Sequence, residues 1–207
     1  MNILWRRSLA GALAAAIALS GCSLGSGKRE AAETYDLGPP RAPVAAGATI
    51  PATLQLPEVN APEWLDGRGI IYRLSYENSA RPQAYAGSRW VSSPPALLTQ
   101  RMRARFTGVA TGMVTGSDGA RADYALRVDL EDFSQLFTAP NASRVTLRAR
   151  ASLVRLADRA LIAQRVFVVE RAAPTPDSRG AVAGLGEASD EFLEQVLAWT
   201  GDQARKK

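Results

Sequence analysis

Alternation of apolar and charged residues marks a long strand in the second half of the chain. Over residues 123–131 every second side chain is apolar, which is typical of a strand with one buried face. The predicted buried face holds Tyr124, Leu126, Val128 and Leu130, and the opposite face holds Asp123, Arg127, Asp129 and Glu131. Phe133 breaks the alternation, which predicts a bulge or the end of the strand.

Two further strands are predicted to follow. The apolar face of the first is formed by Val145, Leu147, Ala149, Ala151 and Leu153. Arg148 and Arg150 lie on its other face, and antiparallel pairing would set them across from Asp129 and Glu131. A turn at Asp158-Arg159 leads into a third strand, Leu161–Glu170, and the proline-rich residues 173–176 end the sheet.

Two helices are predicted from a different spacing of apolar residues. Leu98, Met102 and Phe106 recur every four residues, in a helix that begins at Ser92 or Ser93 with proline in its first turn. Three arginines of this helix, Arg101, Arg103 and Arg105, are expected to form a solvated face, with contact to lipid phosphates as the alternative.

The last helix is predicted to begin at Asp177 or Ser178. One side is apolar and holds Val182, Leu185, Phe192, Leu193, Val196 and Leu197. Gly184 and Gly186 should weaken the first turns by roughly 1 kcal/mol each relative to alanine, so the beginning is expected to be loose or closely packed. Residues 201–207 are expected to be a frayed tail.

Shorter strands precede this part of the chain. They are predicted at Thr34–Leu37 on a sheet edge, at Ile50–Leu56, at Ile70–Tyr76 and at Val109–Val114. A run of mostly antiparallel strands with one helix in the middle and one at the end predicts an α+β fold. We expect a mostly antiparallel sheet with two main helices packed on one face.

The N-terminus has the pattern of a bacterial lipoprotein signal. Arg6 and Arg7 precede an apolar run over residues 9–19, which ends in Leu19-Ser20-Gly21-Cys22, similar to a lipobox. This predicts removal of residues 1–21 as a signal peptide and acylation of the sulfur and the amine of Cys22. The alternatives are a transmembrane anchor or a buried cysteine, but the run is short of the roughly 20 apolar residues that a spanning helix needs.

The same signal sets the expected domain organisation. Residues 22–33 are small and polar and would form a lipidated tether, followed by one domain over residues 34–200. Ser23 occupies the position where, by resemblance to the usual sorting rule, aspartate would retain a lipoprotein in the inner membrane. We therefore expect attachment to the periplasmic leaflet of the outer membrane.

The amino-acid composition limits which catalytic groups, metal sites and ligands the chain can have. The chain has no histidine and one cysteine, so catalysis by Ser-His-Asp or Cys-His groups and zinc-histidine sites are excluded. We expect no catalytic turnover, no cofactor and no metal. The net charge of +5 comes mainly from dispersed arginines, without a basic run interleaved with aromatic residues, so we expect no nucleic-acid binding.

Several short motifs occur in a distinctive order. Tyr35-Asp36-Leu37 follows the lipobox, a turn with Pro62, Leu65 and Asp66 leads into a strand with Ile71 and Arg73, and Tyr85 and Trp90 precede a leucine-rich helix at Leu97. In this order the motifs resemble the ABC-type transport auxiliary lipoprotein family. The resemblance covers the chain after the signal and implies that most of these positions are structural.

The resemblance also implies a function. The chain would be the outer-membrane accessory of a system that moves phospholipid or another hydrophobic molecule across the periplasm. It would bind an MCE-domain periplasmic protein of an ABC transporter, either alone or as a ring of copies. The alternative is an envelope assembly or docking lipoprotein for an outer-membrane protein or secretion channel. A third hypothesis is a glycosidase that uses two of Glu58, Glu63 and Asp66.

Overall fold

The computed structural model describes residues 31–40, 49–115 and 118–206, and those from Ala32 onward form one unit. The strands are β1 (Glu33–Tyr35), β2 (Ile50–Gln55), β3 (Gly69–Leu74), β4 (Gln83–Trp90), β5 (Ala110–Val114), β6 (Tyr124–Ala139), β7 (Ala142–Arg155) and β8 (Leu161–Ala172). The helices are α1 (Ser75–Asn78), α2 (Pro94–Thr107) and α3 (Ser178–Arg205), with a 3-10 turn at Glu63–Leu65. The predicted signal motif lies outside the described residues, and this applies to Leu19, Ser20 and Gly21 as well as to Cys22.

The long strand β6 organises the sheet. On one side it pairs antiparallel with β7, which pairs antiparallel with β8. The other side of β6 is shared by two parallel strands, with β2 near its start and β3 near its end. Beyond these, β5 flanks β2, β4 flanks β3, and β1 lies outside β4. Three helices and one mixed eight-stranded sheet confirm the α+β prediction.

The alternation of the long strands is confirmed residue by residue. Their predicted apolar faces are buried, and the ladder between β6 and β7 shifts by one residue between Leu130 and Asp132, where the bulge was expected. Arg150 lies 3.1 Å from the Asp129 carboxylate and Arg148 lies 2.7 Å from that of Glu131. The cross-strand ion pairs that the sequence predicts are therefore present.

Helices α2 and α3 cover the inner face of this sheet. Helix α3 packs on β7 and β8 and also reaches β2, while α2 packs against β5 and α3. The α3 N-cap is Asp177, whose Oδ1 accepts a hydrogen bond of 2.8 Å from the backbone N–H of Gly180. None of the helices in the described ranges combines the length and the apolar composition that a membrane span requires.

Both ends of α3 pack against other segments of the body. A Cβ on Gly184 would lie 2.9 Å from a Val145 methyl, and one on Gly186 would lie 2.7 Å from the Leu37 carbonyl oxygen. The closely packed beginning is thus the correct alternative. The expected fraying from Gly201 onward is wrong up to Arg205, because Ala204 is buried and the Arg205 guanidinium donates to the Thr49 carbonyl at 3.2 Å.

Candidate functional site

The segment that follows β1 lies against both main helices. We call residues 36–40 the connector. Its turn is set by Gly38, which has φ +73°, a conformation that glycine adopts without the steric cost of a side chain. The Gly38 N–H donates to the Asp36 carboxylate at 2.7 Å, and two prolines follow the turn. The connector therefore has a defined shape where the chain enters the folded body.

Arg101 of α2 holds the connector in place. Its guanidinium donates to the carbonyl oxygens of Leu37 at 3.0 Å and Gly38 at 2.7 Å. The same group lies 3.5 Å from the Asp190 carboxylate on α3, and only 8% of the arginine side chain is exposed. One buried cation thus joins α2, α3 and the connector. A planar guanidinium with five donors suits such a role because it can satisfy several acceptors at once.

The expected solvated face of arginines on α2 is therefore wrong. Beside Arg101, Arg105 pairs with Glu194 on α3, and the Arg103 guanidinium donates to the Leu56 carbonyl at 3.3 Å. All three side chains reach protein acceptors. The physical reason is their position, because α2 lies between the connector, the segment after β2 and the acidic side of α3, which leaves these positions little open surface.

Two cavities flank the connector, and we call them together the α2–α3 groove. The cavity on the α2 side has a volume of about 450 Å³, and the one on the α3 side has about 740 Å³. The apolar walls are formed by Leu37, Pro40, Val91, Leu97, Ala104, Val182 and Leu193. The charged residues at the groove are Asp36, Arg101, Arg105, Glu187 and Asp190. Arg101 and Arg105 pair with acidic residues of α3, Glu187 lies 3.4 Å from Arg171, and the Asp36 carboxylate accepts the Gly38 N–H. Chemically, the groove can accept an apolar group between charged side chains.

The residues of the short motifs identified in the sequence lie in three regions of the fold, and the first region borders this groove. Tyr35 pairs with Trp90 between β1 and β4, and the Tyr35 carbonyl accepts the Val91 N–H at 2.6 Å. Trp90 is completely buried and lies 5.8 Å from the ring of Phe133, which agrees with a core anchor. Leu37 and Leu97 line the groove. These four motif residues therefore define how the start of the body joins α2.

The second place is the corner before β3. The Pro62 carbonyl accepts the Leu65 N–H at 2.8 Å, Leu65 is buried, and Asp66 ends the 3-10 turn. Arg73 lies with its guanidinium carbon 4.9 Å above the ring of Trp64, which is a cation–π contact. These residues shape the outer side of β3 and do not reach the groove.

The third place surrounds Tyr85, whose hydroxyl donates to Gln135 Oε1 at 2.6 Å. Gln135 is buried, and its amide in turn donates to Ser143 at 2.8 Å and to the Thr175 carbonyl. Burial, followed by the nearby charge of Asp177, raises the pKa of Tyr85. A tyrosine that stays neutral inside a hydrogen-bonded network has a structural role. Gln135 was not predicted, since alternation alone places no buried amide there.

The three acidic residues of the glycosidase hypothesis lie on the surface. Glu58, Glu63 and Asp66 are exposed, and Glu63 and Asp66 sit at opposite ends of the 3-10 turn. They line none of the cavities described above. Within the described ranges, no group of three acidic, histidine or cysteine residues is arranged to hold a metal ion. The geometry therefore gives these carboxylates no shared pocket.

Comparison with known proteins identifies a family whose model matches most of the chain. The model of a family described as "ABC-type transport auxiliary lipoprotein component" matches residues 35–197. A curated relative, the uncharacterized protein bll6063 of Bradyrhizobium diazoefficiens, is 25% identical over 169 residues, which are 81% of this chain. These cover 44% of the relative, so the chain spans less than half the length of that protein.

Solved structures share the fold. The crystal structure of protein XCC0632 from Xanthomonas campestris has a TM-score of 0.71 at 20% identity, covering 84% of this chain and 97% of that one. The hypothetical protein CT253 from Chlamydia trachomatis has a TM-score of 0.53 at 6% identity and covers 76% of this chain and 99% of that one. At these identities the likeness concerns the fold alone.

Proposed function

Because the chain belongs to the family of ABC-type transport auxiliary lipoprotein components, we propose that it is an outer-membrane lipoprotein serving an intermembrane transport system. The system would move phospholipid or another hydrophobic molecule across the periplasm and would contain an MCE-domain protein. The observation that supports this proposal most strongly is the family match over residues 35–197, which includes the connector, α2 and most of α3.

The anchor is the first part of the proposal. Cys22 would be acylated after removal of residues 1–21, and the lipid would hold the protein in the periplasmic leaflet. One acyl chain binds a membrane only reversibly, whereas two or more give stable attachment. In support, β1 begins eleven residues after Cys22, so the folded body starts soon after the anchor.

The role proposed for the body is binding, without catalysis. The family is described as an auxiliary of transport, which points to a non-enzymatic role. The α2–α3 groove agrees with this role, since its apolar walls can accept an apolar group of a partner. A transport auxiliary needs a stable body with surfaces for its partners. The hydrogen bonds from Arg101 stabilise the connector near the start of this body.

Partner binding is proposed at the edges of the sheet. Strand β1 pairs with β4 on one side and β8 pairs with β7 on one side, and their outer edges carry no further strand among the described residues. Exposed edges offer backbone groups that a neighbouring chain can complete. Strand β1 completes this domain's own sheet by pairing with β4. Its other edge remains open to an MCE-type partner or another copy.

Photo-crosslinking in cells tests the partner directly. A photoreactive amino acid would replace Thr34 on β1 or Val168 on β8, with Ala96 on the exposed side of α2 as the matched control. Capture of an MCE-domain protein from an edge position, and not from Ala96, is the expected result. Capture of only β-barrel or secretion components would instead support the assembly-factor function and contradict the transport proposal.

A further inference from the structure

We propose that one end of the body rests on the headgroup region of the bilayer that holds Cys22. The contact surface is formed by Trp64, Arg73, Tyr76 and Arg81, which we call the aromatic–arginine patch. The inference rests on the proposed function, because it requires that Cys22 be acylated. It goes further by assigning the orientation of the body and the residues that contact phospholipid.

The side chains of the patch have the chemistry of a membrane interface. Trp64 is 37% exposed and Tyr76 is 45% exposed, which is unusual for large aromatic residues in this protein. Arg73 covers the Trp64 ring and also donates to the Ser79 carbonyl at 3.1 Å, so it links Trp64 to the segment that follows α1. Tryptophan and tyrosine concentrate at the headgroup level of bilayers, where one end of the ring is apolar and the other is wet.

The sheet topology places α1 and Arg81 at the end from which the chain enters the body. Strand β3 ends at Leu74 beside Phe137, near the end of β6, and β4 begins at Gln83 opposite Tyr72. Helix α1 and Arg81 connect these two strand ends. Strand β1 runs parallel to β4 and starts at Glu33 opposite Ser88, so Ala32 enters the strand from the side where β4 begins.

The distance to the anchor favours this end over the opposite one. Cys22 and Glu33 are eleven residues apart, which corresponds to at most ~40 Å when fully extended. Helix α3 begins next to β1, where Arg179 lies 3.3 Å from Glu33. Its 28 residues end about 42 Å away. The far end would therefore reach the bilayer only with the eleven residues almost fully extended, whereas the aromatic–arginine patch reaches it with slack.

Tryptophan fluorescence gives a selective test. After removal of the signal the chain keeps three tryptophans, and Trp90 and Trp199 are buried, which leaves Trp64 as the exposed one. The acylated full-length mature protein would be placed in vesicles of phosphatidylethanolamine and phosphatidylglycerol. We expect a quencher on the upper acyl chain to reduce Trp64 emission and iodide quenching to fall at least about twofold relative to detergent solution. The Trp64→Phe variant should lose both effects.

Matched probes separate the two ends of the body. In the Trp64→Phe background, Tyr76→Trp should be quenched by the lipid probe. Leu161→Trp, on the 57% exposed position at the start of β8, should stay accessible to iodide. Equal iodide accessibility of Trp64, Tyr76→Trp and Leu161→Trp would overturn the inference. Protection from iodide without lipid quenching would indicate a protein contact, such as a second copy, and would overturn it as well.

Mass spectrometry of the same sample distinguishes this failure from failure of the proposed function. If Cys22 carries its acyl groups and the patch stays in water, the orientation is wrong and the anchored accessory role stands. If Cys22 is unmodified, the anchor proposed for the function is wrong. The membrane contact of the patch is then wrong as well, because it requires an acylated Cys22.

Discussion

Among single residues, Arg101 has the most consequential position. It is buried, yet its charge is met by Asp190, and two of its N–H groups donate to carbonyl oxygens of the connector. A buried ion pair contributes little when compared with apolar side chains of the same size, but removal of one partner leaves an uncompensated charge. Arg101 therefore determines whether the connector and α3 keep their positions relative to α2.

Replacement of Arg101 tests this directly. Arg101→Met removes the cation and leaves the carboxylate of Asp190 and the Leu37 carbonyl without this donor, so we expect a loss of about 3 kcal/mol in the free energy of unfolding. Urea unfolding followed by circular dichroism would measure it. Arg127→Met, on the exposed face of β6, is the matched control and should change stability by less than about 0.5 kcal/mol. Equal stability of the two variants would refute the role of Arg101.

Gly186 gives a second prediction of this kind. A Cβ there would meet the Leu37 backbone oxygen at 2.7 Å, so Gly186→Ala should displace the connector and destabilise the protein by roughly 1–3 kcal/mol. At Gly201 in the same helix, the nearest atom would be 3.4 Å away, so Gly201→Ala should be neutral or stabilising by up to about 1 kcal/mol. Thermal unfolding of both variants gives the comparison, and a stabilised Gly186→Ala variant would contradict the close packing.

Part of this residue-level detail is accessible from the sequence. Arg101 follows Leu97 and Leu98 by four and three residues, so it lies on the apolar stripe of α2, and this signal could have identified it as buried. Close packing at Gly184 and Gly186 is one of the two alternatives that the sequence leaves open. The sequence could not tell that the atom approaching Gly186 belongs to the connector, because this contact depends on tertiary structure.

At the level of elements, alternation predicts the long strands and fails to predict how the short ones pair. Strands β6 and β7 have enough alternating positions to fix their buried faces and their antiparallel register. Strand β2 has the expected buried face, but it meets β6 through two residues only and in parallel orientation. Alternation indicates which face is buried and contains no information on the neighbouring strand.

The start of α3 provides a prediction with a defined pH dependence. Hydrogen bonds from the Thr175 hydroxyl and the Gly180 N–H lower the pKa of Asp177 below its usual value of 3.8. The stabilisation by this cap is therefore present above about pH 4 and is lost as the pH falls through the lowered pKa. At pH 7, Asp177→Ala should cost about 1 kcal/mol, and the difference from the natural protein should shrink below about pH 4.

Asparagine at the same position is the control for this prediction. The Asp177→Asn variant keeps a capping oxygen without a titrating group, so it should resemble the natural protein at pH 7 and lose less stability in acid. Urea midpoints measured from acid to neutral pH would show this. A constant difference between Asp177→Ala and the natural protein across that range would contradict the assignment.

At the level of the whole molecule, fold and function rest on different signals. The α+β class follows from the order of elements, whereas the transport role follows from motif order, which the family match over residues 35–197 supports. The groove could not be predicted, because its walls come from the connector, α2 and α3, which are distant in sequence. The family motifs reach it through Tyr35-Asp36-Leu37 and Leu97.

The most direct test of the central claim is purification of the tagged protein from detergent-solubilised envelopes, with its partners quantified by mass spectrometry. We expect an N-terminal acylated Cys22 and strong enrichment of an MCE-domain protein together with ABC transporter subunits. Cys22→Ser should remain folded, because nothing in the described body uses the thiol, and should lose this enrichment when membranes are isolated. Recovery of an unmodified Cys22 would contradict the lipid anchor. Consistent enrichment of β-barrel or secretion components without any MCE-domain protein would contradict the transport role.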